Sequence, residues 1–205
     1  MVKEYKKWYN EKGDKMKESL LYIIVRPIVT FLFKLFYHPK IIGKEKIPKK
    51  GRIILAGNHK NNFDCVILMS STKRCIHFLA KDELWKGAKK IIFAHMGLIP
   101  VNRREKSHHS LVLAEEYLKD DHVIGIFPEG TFNHTKETVM PFKIGSVKMA
   151  YDTDTPIIPF TITGDYHIFS KNLKIEFLDP IKISSDDLAK ENERLRNIIK
   201  DKLEG

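Results

Sequence analysis

The pattern of apolar and polar positions alternates short apolar runs with longer stretches of helical period along most of this chain. Short apolar runs bounded by Gly, Pro or polar residues predict strands, and apolar residues that recur every three or four positions predict helices. The predicted strands cover residues 53–56, 76–80, 98–101, 123–127, 157–163 and 173–177, and the predicted helices cover 63–69, 84–95, 110–119, 144–151 and 186–202. This alternation predicts an α/β fold with a mixed, mostly parallel central sheet flanked by helices.

Three further predictions concern the ends of these elements. Asn61 or Asn62 is expected to cap the helix over 63–69, and Ser184 or Ser185 is expected to cap the last helix. Pro156 and Pro159 surround the start of a strand. Prolines of this kind indicate the edge of a sheet or an element boundary, because proline cannot donate to a strand ladder.

The first 40 residues stand outside this alternation. Within 19–37, Tyr22, Arg26, Thr30 and Lys34 recur every fourth residue, and they form one narrow polar stripe on an otherwise apolar helix. A charge at the bilayer centre costs about 2.5–3.5 kcal/mol, so Arg26 disfavours a membrane-spanning helix. We predict a helix in the membrane interface, with its stripe towards headgroups or towards protein; an ordinary core helix is the alternative. Residues 1–40 are thus predicted to dock on a membrane, and residues 41–205 to form the α/β domain.

The charge distribution supports this division of the chain. The 205 residues carry 36 Lys and Arg against 26 Asp and Glu. Residues 1–50 hold 13 basic against 5 acidic residues, while the remainder is nearly balanced at 23 against 21. A basic excess beside an apolar helix favours an anionic membrane surface over nucleic acid, which would require aromatic platforms or a basic stripe on the domain itself. We therefore expect no nucleic-acid partner.

The remaining compositional signals concern the cell compartment. Cys65 and Cys75 have no metal-ligand spacing and no disulfide pattern, which is typical of a reduced, cytosolic protein. No small-residue cleavage site follows the apolar stretch, so a secretory signal is not predicted. We expect a peripheral or monotopic protein on the cytoplasmic face of the cell membrane.

One loop carries a candidate general base. The strand over 53–56 breaks at Gly57, and His59 and Asp64 follow within the turn into the next helix. On a continuous helix they would lie roughly 140° apart, so contact requires a non-helical His59. Asp64 could then fix the tautomer of the imidazole and stabilise its protonated form. Alternatively, Asp64 only complements the helix N-terminus and His59 is an exposed loop residue. Spacing alone does not decide, because His77 and Asp82 have the same separation.

Three other loops at strand ends carry candidate chemistry. Arg103 and Arg104 follow the strand over 98–101, and guanidinium groups suit bidentate phosphate contacts. Glu129 stands between Pro128 and Gly130 in a turn that is expected to hold its carboxylate in a defined place, against a loop arginine. The prolines of 156–159 mark the third loop. A solvated arginine pair and a plain turn are the alternatives for the first two loops.

Taken together and in this order, these four blocks resemble the glycerolipid acyltransferase family that includes the 1-acyl-glycerol-3-phosphate acyltransferases. The matching residues are Asn58, His59 and Asp64 in the first block, Gly97, Ile99, Val101 and Arg103 in the second, Phe127 to Thr131 in the third, and 156–159 in the fourth, with the flank 141–145. His77 and Asp82 match nothing in the family pattern. The resemblance implies the glycerol-3-phosphate acyltransferase-like fold.

The resemblance also implies a reaction, in which a fatty acyl group moves from an acyl-CoA or acyl-carrier-protein thioester to the sn-2 hydroxyl of a lysophospholipid, 1-acyl-glycerol-3-phosphate. His59 would be the base and Asp64 its orienting carboxylate, with no metal and no cofactor beyond the thioester donor. The residues that would bind substrate are Asn58, Arg103, Glu129, Gly130, Thr131 and Lys143, with Arg104 as a weaker candidate. A backbone N–H near Gly57 or at the helix start would stabilise the oxyanion.

One position departs from the family pattern and bears on the acceptor. Many members have Arg after the Thr of the third block, whereas this chain continues with Phe132 and Asn133. Acylation of glycerol 3-phosphate or another lysolipid is therefore an alternative. A catalytically silent membrane-binding scaffold that uses the N-terminal helix is the alternative outside enzymes.

Overall fold

A computed structural model describes residues 20–81, 96–101 and 109–205. The helices in these ranges are α1 (Leu20–Tyr37), α2 (Asp64–Ser71), α3 (His109–Lys119), α4 (Gly145–Asp152) and α5 (Leu188–Glu204). The strands are β1 (Lys40–Ile42), β2 (Ile53–Gly57), β3 (Ile76–Lys81), β4 (Ile99–Val101), β5 (Val123–Ile126), β6 (Ile157–Thr163) and β7 (Lys174–Phe177). A short 3₁₀ turn, Lys44–Lys46, follows β1. The helix predicted over 84–95 lies outside the described residues.

The strands form one sheet in the order β1-β7-β6-β2-β5-β3-β4. All neighbouring pairs are parallel except β6 and β7. The prediction of a mixed, mostly parallel α/β sheet is confirmed. The strands β6, β2, β5, β3 and β4 run in the same direction. The loops that follow them therefore lie along the carboxyl-terminal edge of the sheet, where α/β proteins bind their ligands.

Two apolar layers cover the two faces of the sheet. Alternation along β2 directs Ile54 and Ala56 towards α3, α4 and α5, whereas Ile53 and Leu55 face α1 and α2. All five residues of β2 are buried, as expected for a central strand with helices on both faces. The candidate base, His59, follows the carboxyl end of β2, which is the central strand of the sheet.

Tyr22 and Arg26, the first two residues of the polar stripe of α1, face the protein, whereas Lys34 is exposed. Tyr22 is buried, and its hydroxyl donates to the carbonyl of Arg74. The guanidinium of Arg26 donates to the carbonyls of Met69, at 3.1 Å, and of Thr72 at the C-terminal end of α2. In contrast, large apolar side chains on the rest of α1 are exposed: Leu20, Leu21, Ile23, Ile24, Ile28, Phe31, Leu32, Leu35 and Phe36. The alternative of an ordinary core helix is therefore wrong.

By length and composition alone, α1 could cross a membrane, although a helix of this kind near an N-terminus is weak support for that arrangement. The division into residues 1–40 and 41–205 stays a prediction. The structure places Lys40 in β1, a three-residue strand that hydrophobic pattern did not identify. Such a short strand depends on its pairing with β7, which the local sequence does not encode.

Two predictions about element ends are wrong. Phe63 is the N-cap residue of α2, while Asn61 accepts the N–H of Phe63 in a turn before it. Asp187 caps α5 by accepting the N–H of Lys190, in place of Ser184 or Ser185.

The prediction for the two prolines holds for Pro156, which lies at an element boundary directly before β6, and is wrong for Pro159. The strand β6 lies between β2 and β7, and Pro159 pairs with Ala56 in the parallel register. Its carbonyl accepts the N–H of Leu178, one residue past the end of β7. The N–H that Pro159 lacks would face Leu178, which lies beyond the end of β7. No hydrogen bond within the β7 pairing is therefore lost, which explains how an interior strand accommodates a proline.

Candidate active site

The loop after β2 begins with a close contact between strands. A Cβ on Gly57 would come within 2.4 Å of the ring and carbonyl of Phe160 on β6, so only glycine fits. Next, the buried amide of Asn58 accepts the N–H of Ile162 at 2.8 Å and donates to its carbonyl at 2.9 Å. Asn58 thus extends the pairing of β2 with β6 by one residue. Its amide is engaged within the protein, and a substrate contact by Asn58 stays a prediction.

His59 and Asp64 form the contact that the sequence left open. Nδ1 of His59 lies 2.7 Å from Oδ2 of Asp64, and His59 precedes α2, so it is non-helical as the contact requires. The same Oδ2 accepts the backbone N–H groups of Lys60 at 2.6 Å and Asn61 at 2.9 Å. The Asp64 side chain is fully buried, while 18% of the His59 side chain is exposed. Asp64 therefore orients a ring that solvent or substrate can reach.

Two aromatic rings flank the imidazole of His59. Phe127 stacks on it with a centroid distance of 4.0 Å and an interplanar angle of 11°, and Phe132 lies at 4.4 Å and 55°. Phe127 directly follows β5, the neighbour of β2 in the sheet. These contacts restrict the rotation of the ring, and sequence reasoning identified neither of them.

Glu129 holds the backbone of this loop. One of its carboxylate oxygens accepts the N–H of His59 at 2.9 Å, and the other accepts the N–H of Met140 at 3.0 Å. The side chain is buried. Sequence reasoning predicted a fixed carboxylate here, and the structure gives its partners as main-chain groups. Direct contact of Glu129 with a substrate stays a prediction.

A cation lies beside the turn that contains Glu129. Gly130 has φ +70°, and a Cβ at this position would come within 2.6 Å of Nζ of Lys143. The N–H of Lys143 donates to the carbonyl of Pro128. Lys143 is exposed at this edge of the sheet, as is Thr131, the residue after Gly130. The positive charge of Lys143 thereby lies over the turn whose Glu129 carboxylate accepts the N–H of His59.

Arg103 and Arg104 lie outside the described residues, so their predicted roles are unchanged by the structure. The preceding strand β4 ends at Val101, three strands away from β2 in the sheet order. At about 4.8 Å between neighbouring strands, the ends of β2 and β4 are about 14 Å apart. In the described part of the chain, no group of three or more His, Cys, Asp and Glu side chains could hold a metal ion.

Two neighbours of Asp64 have perturbed acidity. Burial, followed by the charge of Asp64, raises the pKa of the Cys65 thiol to about 12. Burial, then Asp64 and then Cys65, also raise the pKa of the Tyr166 phenol well above its usual range. Both groups therefore remain protonated at neutral pH. A nucleophilic thiolate at Cys65 is therefore disfavoured.

The fold and the site together define a class of protein. A histidine oriented by a buried carboxylate, at the carboxyl ends of a mostly parallel sheet, provides a base for transfer to a hydroxyl group. A family model described as Acyltransferase matches residues 38–163, more than half of the chain. This chain belongs to that acyltransferase family.

Individual relatives support the assignment. The 1-acyl-sn-glycerol-3-phosphate acyltransferase of Borreliella burgdorferi is 34% identical over 177 residues, which cover 80% of this chain and 69% of that protein. The Haemophilus influenzae protein of the same name is 31% identical, covering 65% of this chain and 59% of its own. The chain spans a smaller share of some other relatives, for example 47% of the mouse 1-acyl-sn-glycerol-3-phosphate acyltransferase alpha.

A solved structure supports the fold. The crystal structure of the 1-acyl-sn-glycerophosphate acyltransferase from Thermotoga maritima aligns with a TM-score of 0.72 at 23% identity, covering 88% of this chain and 78% of that one.

Proposed function

We propose that this acyltransferase moves a fatty acyl group from an acyl-CoA or acyl-carrier-protein thioester to the sn-2 hydroxyl of 1-acyl-glycerol-3-phosphate. The product is phosphatidic acid, an intermediate of phospholipid synthesis. The observation that carries the proposal is the 2.7 Å contact between Nδ1 of His59 and the buried carboxylate of Asp64. The names of the relatives support the choice of acceptor.

The chemistry follows from the protonation of His59. Because the Asp64 carboxylate can only accept, the neutral imidazole carries its proton on Nδ1 and presents a lone pair at Nε2. Nε2 takes the proton of the acceptor hydroxyl as its oxygen attacks the thioester carbonyl. The tetrahedral intermediate then collapses, the C–S bond breaks, and the imidazolium returns its proton to the leaving thiolate. General-base catalysis of this kind contributes about 10²- to 10⁴-fold to the rate.

Binding of the acceptor phosphate is assigned to basic side chains at the same edge of the sheet. Lys143 lies over Gly130, in the turn whose Glu129 carboxylate holds the N–H of His59. Arg103 follows β4 in the sequence, and the family resemblance assigns its guanidinium to the acceptor phosphate. Thr131 is exposed beside Lys143 and can donate a hydrogen bond. Fixing the phosphate brings the sn-2 hydroxyl to the base, which is the proximity part of catalysis.

The acceptor is dissolved in a bilayer, and the exposed apolar face of α1 provides a docking surface for it. Phe33 and Tyr37 of α1 pack against Phe63 and Tyr166, which lie beside Asp64 of the His59–Asp64 pair, called the dyad below. The apolar face therefore continues to the catalytic loop, so an acyl chain can reach His59 without crossing water. Basic residues near α1 add attraction to anionic headgroups on the cytoplasmic face.

The decisive experiment is a thiol-release assay in detergent–lipid micelles. Acyl-CoA and acyl-carrier protein are each paired with lysophosphatidate, glycerol 3-phosphate and lysophosphatidylcholine, and mass spectrometry identifies the product. We expect release with lysophosphatidate and a product of the mass of phosphatidic acid. Absence of release with every pair would overturn the enzyme assignment, and a preference for another acceptor would overturn the acceptor assignment.

A different acceptor is the second candidate, because of Phe132. This ring contacts His59 at a position where many family members have Arg. An apolar ring in place of a cation favours an acceptor with less charge near the reacting hydroxyl. Phe132→Arg separates the two candidates: under the phosphatidate proposal it lowers the KM for lysophosphatidate, and under the alternative it lowers turnover of the preferred neutral acceptor.

Membrane docking has its own test, flotation with anionic liposomes. Ile24→Glu and Phe31→Glu place charge on side chains that are 61% and 66% exposed on α1. Val112→Glu is the matched control, because this exposed residue of α3 lies on the opposite face of the sheet. We expect the two α1 variants to float less than wild type and the control to float equally. Equal flotation of all variants would contradict docking through α1.

A further inference from the structure

The two oxygens of the Asp64 carboxylate have different partners. Oδ2 accepts from Nδ1 of His59 and from two backbone N–H groups of the same loop. Oδ1 accepts the hydroxyl of Tyr166 at 2.5 Å, from a residue 102 positions away in the chain. Asp64 is fully buried, so solvent cannot replace a lost donor. The oxygen that His59 does not use is therefore held by Tyr166.

The phenol of Tyr166 must be the donor in this contact. Its raised pKa keeps it protonated, and the carboxylate has no proton of its own to offer. An O–H···O⁻ hydrogen bond of this kind is shorter and stronger than a neutral one. It also fixes which oxygen of the carboxylate faces the histidine, because rotation of the carboxylate would break the bond.

Tyr166 itself is held from several sides. It lies in the connection from β6 to β7, three residues past the end of β6. Its ring contacts those of Phe33, Tyr37 and Phe63 at centroid distances of 6.4, 6.2 and 6.1 Å. Two of these rings come from α1. The hydroxyl is thus placed by packing among aromatic rings, and the packing connects it to the proposed membrane-docking helix.

We propose that Tyr166 is a positioning residue for acyl transfer, whose hydroxyl holds the Asp64 carboxylate so that Oδ2 stays on Nδ1 of His59. This inference rests on the proposed function for its kinetic part. Without the hydroxyl, Oδ1 is buried without this donor, and the carboxylate turns to share the N–H groups of Lys60 and Asn61 between its oxygens. The imidazole then loses its single orientation and tautomer, while the substrate contacts are unaffected.

The test uses Tyr166→Phe, which keeps the ring in the aromatic cluster and removes only the hydroxyl. Tyr22→Phe is the matched control, because it removes a buried hydroxyl from α1 that donates to Arg74 and does not contact the dyad. We expect Tyr166→Phe to lower kcat by about 10- to 100-fold, with KM for both substrates within about 3-fold of wild type. In an Asp64→Asn background, Tyr166→Phe should lower kcat by less than about 3-fold further, because the carboxylate through which the Tyr166 hydroxyl acts is already absent.

A readout without turnover separates this inference from the proposed function. In protein with ¹⁵N-labelled histidine, with His59 assigned through His59→Gln, wild type and Tyr22→Phe should show a single Nδ1–H tautomer. Tyr166→Phe should show mixed tautomer signals. The positioning role would be overturned by a wild-type kcat or an unchanged His59 spectrum in Tyr166→Phe. It would also be overturned by an equal loss of kcat in Tyr22→Phe, or by additive effects of Tyr166→Phe and Asp64→Asn on kcat. If wild type releases no thiol but the spectra change as expected, the proposed function fails and the positioning stands.

Discussion

His59 and His77 each precede an aspartate by five residues, and the structure gives them different surroundings. His59 follows a strand, at the edge where loops gather, and Asp64 holds its Nδ1. His77 is the second residue of β3 and is buried. Its Nδ1 contacts the carbonyl of Gly97 at 2.9 Å, and its Nε2 lies 3.3 Å from Nδ1 of His122. Asp82 lies outside the described residues.

The two environments have opposite effects on chemistry. Burial, and then the neighbouring His122, lower the pKa of His77 to about 3, although the Gly97 carbonyl acts in the other direction. His77 is therefore neutral under physiological conditions and unable to cycle a proton. A spacing of five residues indicates a base only when the histidine lies past the end of a strand, where the chain can turn back and the ring remains accessible.

The largest expected effect is the difference between the two histidines in turnover. His59→Gln should lower kcat by about 10²- to 10⁴-fold with the fold retained, because the general base is lost. His77→Gln should keep kcat per folded molecule near wild type and lower the thermal midpoint. Thiol release and circular dichroism measure the two quantities. A wild-type kcat in His59→Gln would contradict the role of His59 as the general base.

The second prediction concerns the pH dependence of stability in the His77 region. The folded-state pKa of His77 lies near 3, below its unfolded value of 6.5, so protonation favours unfolding. Its contribution is fully present above about pH 6.5 and is lost as the pH falls towards 3. The slope of the unfolding free energy in this window reaches about 1.4 kcal/mol per pH unit for one proton. Denaturant titrations of wild type and His77→Phe at several pH values should show this contribution as the difference between the two slopes, the steeper one in wild type.

The third prediction compares the rings that pack on each histidine. Phe132 lies against His59, and Tyr117 lies against His77 at a centroid distance of 4.2 Å. Phe132→Leu should lower kcat by about 2- to 10-fold, since an aromatic pair contributes about 0.5–1.5 kcal/mol to holding the ring. Tyr117→Phe keeps its ring, and we expect kcat to remain unchanged. Steady-state kinetics at matched concentrations of folded protein test both predictions. An equal loss of kcat in the two variants would contradict a specific role for Phe132.

Sequence patterns predicted those features of the site that depend on local geometry. The strand over 157–163 has the predicted bounds, and the contact of His59 with Asp64 forms because His59 is outside the helix, as required. The partners supplied by other strands were not predictable. Glu129 reaches His59 across 70 residues and Tyr166 reaches Asp64 across 102, and no spacing in the sequence encodes the sheet order that brings them together.

The position of Phe132 shows the same limit in another form. Its departure from the family pattern is visible in the sequence, but its contact with the His59 ring depends on how the loop after β5 folds back over the loop after β2. Likewise, the apolar character of α1 was visible, while the side of the helix that faces the protein was decided by the carbonyls at the end of α2 that Arg26 binds.

The smallest expected effect concerns the two cysteines, one beside each histidine. Cys65 directly follows Asp64, and Cys75 lies close to Gly97 beside His77. Because the pKa of Cys65 is raised to about 12, its thiol is protonated at the pH of any assay and cannot act as an acyl carrier. Cys65→Ala should leave kcat/KM within about 2-fold of wild type. Mass spectrometry of enzyme quenched during turnover should show no acyl adduct on Cys65. A large loss of kcat/KM in Cys65→Ala, together with a trapped acyl-enzyme, would contradict direct transfer and support a two-step reaction through Cys65. The difference between the two histidines would then be that His59 activates a thiol and His77 does not.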